Sequence, residues 1–218
     1  MLVPTLPASR FLVLDDADMP SAVSLALAAE RVGDDRAEPV IVPTWWQSGA
    51  DEAMPLVHKA VERHASVYGV RRVHAELVVE PSDEPGSASV LSQLLLAAVP
   101  LALREGCDAI LFPIRPALAQ ETGDISVEGI AREVDRCELV ARLASLDNER
   151  PCSIVTPMVD LSDRQIVDLA RDMGVPAEVC WWSGVGGEAF AESCAARWGA
   201  PRRLATPSGR GEPVARRA

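Results

Sequence analysis

The chain has 218 residues, 48% of them hydrophobic, and a formal net charge of −11. That apolar share supports a sizeable core and excludes global disorder. The acidic balance argues against a general nucleic-acid binder or a protein that docks on anionic membranes. Five cysteines, Cys107, Cys137, Cys152, Cys180 and Cys194, are scattered without a CxxC pair, which favours reduced, buried thiols over disulfides.

Taken in chain order, residues 10–14 (RFLVL) form a compact apolar run and predict a first strand. Asp15, Asp16, Ala17, Asp18, Met19 and Pro20 make a turn, and a helix follows from Ser21 to near Gly33, with Pro20 suited to a first helical turn. Residues 39–43 predict a second strand and residues 50–67 a helix. Residues 73–80 predict a third strand, with its β-branched end. His58 and His64 are expected on the exposed side of the second helix, and His74 as a packed or edge residue of the third strand. A polar loop at 83–89 leads to an apolar helix over 90–104, which Pro100 is expected to interrupt. Residues 108–114 predict a largely apolar and therefore central parallel strand. A loop follows, then a helix over 127–146.

From Cys152 to Trp182 the chain gives a fifth strand ending near Thr156 and Pro157. A helix then begins behind N-cap oxygens of Asp160 and Ser162. Leu161, Ile166, Val167, Leu169 and Ala170 repeat at helical spacing. Ile166, Leu169 and Ala170 are expected to face the sheet, and Asp163 and Arg171 the solvent. Gly174 and Pro176 end the helix. The alternation of strand and helix predicts an α/β fold: a Rossmann-like, doubly wound, mainly parallel sheet of five strands with helices on both faces. One domain is expected over 1–199, comprising a nucleotide-binding-like core (10–150) and a C-terminal strand–helix segment (151–199). Residues 200–218 carry five arginines against one glutamate among prolines and glycines, and predict a disordered basic tail. No apolar run is long enough to span a bilayer, and the first residues lack the pattern of a secretion signal, so a cytoplasmic location is expected.

The wording Thr156-Pro157-x-x-Asp160-Leu161-Ser162, then Ile166-Val167, Gly174-Val175-Pro176, Trp181, Gly186-Gly187-Glu188 and Cys194 resembles the C-terminal half of the 7-cyano-7-deazaguanine synthases. These are PP-loop ATP-pyrophosphatases of queuosine-precursor synthesis. The resemblance implies a nucleotide site at the first strand–helix turn and a four-cysteine zinc site near the C-terminus. Most of the chemistry departs from that pattern. The phosphate turn Ser-Gly-Gly-x-Asp-Ser is matched by Asp16-Ala17-Asp18-Met19-Pro20-Ser21, which keeps Ser21 alone. Ala17 adds a Cβ where a glycine frees the backbone for positive φ. Asp16 and Asp18 place carboxylates where phosphate oxygens would lie. At an effective dielectric near 20, like charges ~4 Å apart repel by about 4 kcal/mol, against about 0.3–1 kcal/mol from a helix N-terminus.

Two readings of the turn stay open. The aspartates either favour turn geometry and cap the helix, or Asp15, Asp16 and Asp18 hold a divalent metal that bridges to a nucleotide. Of the second family segment, only Gln47 remains beside Trp45 and Trp46. Arg115 falls after the fourth strand where the family has asparagine, and Asp163 replaces a family lysine. The four zinc positions hold Ser183, Ala191, Cys194 and Arg197, one thiol of the four that a closed site needs. The resemblance therefore implies a catalytically degenerate homologue serving in binding, assembly or regulation. The alternative is an active ATP-dependent ligase of that class, or a nucleotide binder using the aspartate turn with Mg²⁺. Under the first reading no cofactor and no zinc are expected, and Asp16, Ala17, Asp18, Ser21, Gln47 and Arg115 are vestiges of a nucleotide site. The pairs Trp45/Trp46 and Trp181/Trp182 are then the surfaces for a homodimer or protein partner, with no nucleic acid and no membrane involved.

Overall fold

A computed structural model describes residues 10–32, 40–43, 54–73, 88–115, 126–146, 150–183 and 189–199. Five parallel strands form one sheet in the order β3-β2-β1-β4-β5. They are β1 (Phe11–Asp15), β2 (Val40–Pro43), β3 (Arg71–Arg72), β4 (Ala109–Leu111) and β5 (Ser153–Val155). The helices are α1 (Met19–Val32), α2 (Met54–Tyr68), α3 (Ala88–Arg104), α4 (Val127–Leu146), α5 (Asp163–Asp172) and α6 (Ala189–Arg197).

Strand side chains alternate between the two faces. Phe11 and Val13 of β1, with Ala109 and Leu111 of β4, pack on one face against α1, α2 and α5. Leu12, Leu14, Ile110 and Phe112 pack on the other against α3 and α4. Both faces of β1 and β4 are buried, which is why these strands read as continuous apolar runs. The chain leaves β1 for β2 and β3 on one side and returns to β4 on the other. The carboxyl ends of β1 and β4 therefore flank the topological switch point, where open α/β sheets form their ligand crevice.

Pairing into the sheet begins at Arg71, two residues ahead of the strand expected over 73–80. Val70 N–H closes onto the Ala65 carbonyl, Gly69 takes φ +61°, and the chain enters the sheet at Arg71 at once. Residues 74–80, with His74, lie outside the described residues. Pro100 does not interrupt α3. It sits on the exposed side of that helix, where the carbonyl it leaves unpaired can meet water. Helix α5 starts as a capping box: Ser162 Oγ accepts the Gln165 amide, and Gln165 Oε1 accepts the Ser162 amide. Asp160 plays no part in it. The helix ends in a Schellman motif, with Gly174 N–H to Arg171 O and Val175 N–H to Ala170 O, while Gly174 takes φ +67°. No helix among the described residues is long and apolar enough to cross a membrane.

Candidate functional site

The crevice is built on the turn between β1 and α1. Asp15 ends β1 with no exposed surface. Its Oδ1 accepts the Ala17 amide at 2.7 Å, and its Oδ2 lies 2.8 Å from His64 Nδ1 of α2. Asp16 Oδ1 accepts the Asp18 amide at 3.0 Å and the Ser21 hydroxyl at 2.5 Å, while Ser21 Oγ accepts the Asp16 amide at 3.2 Å. Asp18 Oδ1 accepts the Met19 amide at 2.8 Å. All four amides from Asp16 to Met19 thus donate to oxygens of the turn's own side chains. These are the donors that a phosphate cradle aims at its ligand. Of the two readings of the aspartates, the geometry is that of turn and cap.

Ala17 adopts φ 60° despite its Cβ, contrary to the expectation that an alanine resists this conformation. The left-handed residue is held from both sides. The Asp15 carboxylate takes its amide, and its carbonyl accepts the Trp181 amide at 3.0 Å. Fixing by surroundings is what sustains a strained φ in a non-glycine residue.

The C-terminal segment lies over the turn. Trp182 Nε1–H donates to Asp18 Oδ1 at 2.6 Å, and Arg63 Nη2 donates to the Cys180 carbonyl at 3.2 Å. Burial, with the neighbouring Asp18 charge, raises the Asp16 carboxyl to about 7. Burial also raises Asp18, against the pull of the Trp182 indole and the Met19 amide. Asp15 and Asp16 thus face different partners from Asp18. Among the described residues, no group of three or more His, Cys, Asp or Glu side chains is placed to hold a metal ion.

After β4 comes Arg115, whose side chain is 7% exposed and is paired with Asp163, the first residue of α5. Arg197 Nε and Nη2 reach the two oxygens of the same carboxylate at 2.9 and 3.3 Å. Both guanidinium groups approach the Trp198 ring, at 4.9 Å for Arg197 and 5.8 Å for Arg115. Burial and the Arg197 charge lower Arg115 to about 10. Asp163 therefore does not simply face solvent, as its helix position implied, because α6 brings Arg197 onto it.

Four positions are those that the resemblance assigns to zinc. Ser183 and Cys194 are half-buried, Ala191 is in the core and Arg197 is spent on Asp163. Burial and the Asp18 charge hold the Cys194 thiol up at about 12. All five cysteines are free. Trp181 and Trp182, expected as a partner surface, are each 2% exposed and belong to the core. Their area is used inside the chain, where both tryptophans hydrogen-bond to the turn. Gln47, Trp45 and Trp46 lie outside the described residues. His64, expected on an exposed face, is fully buried. The spacing of Val57, Ala60, Val61 and His64 holds that signal, since it marks one face of α2. Arg197 and Trp198 gave no such signal.

No protein family and no curated protein matches the chain. The resemblance to 7-cyano-7-deazaguanine synthases thus has no wider sequence support. Among solved structures, the chain is similar to the U34-tRNA thiolase NcsA from Methanococcus maripaludis with its [4Fe-4S] cluster, at 11% identity and a TM-score of 0.49. The match covers 87% of this chain and spans 65% of the length of that one. The expectation of no cofactor, drawn from the altered nucleotide turn and the missing zinc thiols, is not supported by the described residues and is withdrawn.

Proposed function

We propose that the chain is a non-hydrolytic protein with a PP-loop-like fold, a degenerate relative of 7-cyano-7-deazaguanine synthase that works by binding or assembly. One observation carries the reading. The amides of residues 16–19, which would hold a nucleotide's phosphates, are all taken by Asp15, Asp16, Asp18 and Ser21. A phosphate entering here must displace carboxylates from their amides while adding negative charge beside them. At close range that repulsion exceeds what a helix N-terminus returns.

Calorimetric titration with millimolar ATP, with and without Mg²⁺, tests the reading. A parallel assay for AMP and pyrophosphate in the presence of 7-carboxy-7-deazaguanine and ammonia tests the chemistry. The expected result is no binding heat and no product. Magnesium-dependent binding that is lost in Asp16→Asn/Asp18→Asn would overturn the reading in favour of a nucleotide binder, and product formation would overturn it in favour of an enzyme.

A further inference from the structure

Past the carboxyl end of β4, two arginines share one carboxylate. Asp163 pairs with Arg115, and its two oxygens also take Arg197 Nε at 2.9 Å and Arg197 Nη2 at 3.3 Å. Two guanidinium charges thus meet one aspartate charge, and Arg115 is the member left short. Its side chain is 7% exposed, and its Nε and Nη2 find no hydrogen-bond partner among the described residues. A buried donor without an acceptor is costly, and a buried charge without a full counter-charge more so. The Trp198 ring lies 5.8 Å from the Arg115 guanidinium and 4.9 Å from that of Arg197. It attracts both cations but offers their N–H groups no oxygen. The Asp18 charge reaches both arginines. Among the described residues it forms no ion pair with either, and its Oδ1 is engaged by the Met19 amide and the Trp182 indole.

We infer that Arg115 and Arg197 form a binding site for the carboxylate of a small molecule, seated beside Asp163 in the crevice. The inference adds a ligand class to the binding role proposed above, but it rests on the arginines and not on the turn. Three features select the ligand. Nε and Nη2 make up one edge of the Arg115 guanidinium, and a carboxylate fits such an edge with both oxygens. Arg197 shows the same fit, since it grips both oxygens of Asp163 through its own Nε and Nη2. The second feature is charge. One guanidinium is in excess over Asp163, so a monoanion balances the site, whereas a phosphate dianion overshoots it beside Asp18 and Asp163. The third is depth. Arg115 is too buried to meet a partner's surface, and a small molecule reaches it past Arg197, whose side chain is 43% exposed.

Titration of the full chain with sodium acetate at neutral pH tests the inference, with ionic strength held constant by sodium chloride. The arginine Nε–H resonances in heteronuclear NMR are the readout. A saturable shift of the Arg115 signal is expected, with a Kd of about millimolar order, as suits so small a ligand. Inorganic phosphate should bind several-fold more weakly. Arg197→Gln leaves one guanidinium for the Asp163 carboxylate, so acetate binding should fall at least tenfold with the circular dichroism unchanged. Asp163→Asn frees both arginines and should tighten binding several-fold. The double variant Arg197→Gln/Asp163→Asn again has one guanidinium in excess and should recover most of the lost affinity. A change no larger than chloride produces overturns the inference. So does phosphate binding tighter than acetate, an Asp163→Asn variant that binds no better than wild type, or a double variant no better than Arg197→Gln. This titration and the one with ATP fail independently, because neither arginine takes part in the hydrogen bonds of the turn.

Discussion

His64 Nδ1 lies 2.8 Å from Asp15 Oδ2, and neither side chain has any exposed surface. The pair ties the last residue of β1 to α2, 49 residues on, directly beneath the turn at the crevice. Removing one member of a buried pair leaves the other uncompensated, which typically costs about 3–5 kcal/mol. His64→Ala should therefore destabilise by about that amount in urea unfolding. Adding Asp15→Asn to it should recover part of the loss. A cost below about 1 kcal/mol, or no recovery, would show that the pair is incidental to the fold.

Trp182 Nε1–H to Asp18 Oδ1, at 2.6 Å, joins the C-terminal segment to the turn. Trp182→Phe keeps most of the ring and removes the donor. The expected loss is about 1–2 kcal/mol, between the usual net worth of a neutral hydrogen bond and that of one to a charged group. Chemical denaturation would measure it, and an unchanged midpoint would count against the contact.

Asp16 gives a pH dependence. Its folded carboxyl is raised to about 7 from the ordinary 3.8, mainly by burial and then by Asp18. The folded state therefore holds a proton that the unfolded state releases. The stability tied to this group is fully present below about pH 4 and is lost as pH rises towards 7. Asp16→Asn retains an oxygen for Ser21 and the Asp18 amide but cannot ionise. Relative to wild type, the variant should gain several degrees in thermal midpoint between pH 4 and pH 8, an order of magnitude set by the usual dependence of midpoint on stability. A difference that is flat across that range would mean that Asp16 ionises as freely in the fold as outside it.

Leu169 is 1% exposed on the buried face of α5. Leu169→Ala should cost about 2–5 kcal/mol. Ser162→Ala, which breaks the capping box at the start of the same helix, should cost about 1 kcal/mol. The two residues lie at opposite ends of the helix and share no partner, so the double variant should lose close to the sum. Denaturant unfolding of the three variants checks both magnitudes and their additivity.

The period of apolar residues carried the helices and most of the strands. Ile166, Leu169 and Ala170 were legible as the buried face of α5 because one face of a helix repeats at fixed spacing. The start of the third strand was not legible, because Arg71 and Arg72 are charged and offer no apolar alternation to mark them. Helix α6 went unread because its residues were matched to lost zinc positions rather than to a helix. His64 could have been read correctly from its place four residues after Ala60 and three after Val61.

The sequence by itself determined the α/β alternation, the capping and ending of α5, and the absence of glycines and thiols at the positions of the resemblance. These are local properties, set by side-chain spacing and by what each residue lets its own backbone do. Only the tertiary structure decided what the acidic turn does. Asp15 answers to His64, Ala17 to Trp181 and Asp18 to Trp182. The last two partners lie some 160 residues away in sequence. Asp163 meets both Arg115 and Arg197 only because folding brings the end of β4 and helix α6 to the start of α5. A carboxylate in a turn can cap amides, hold a metal or repel a phosphate. Which of these it does depends on the donors that folding brings within 3 Å, and sequence spacing does not encode them.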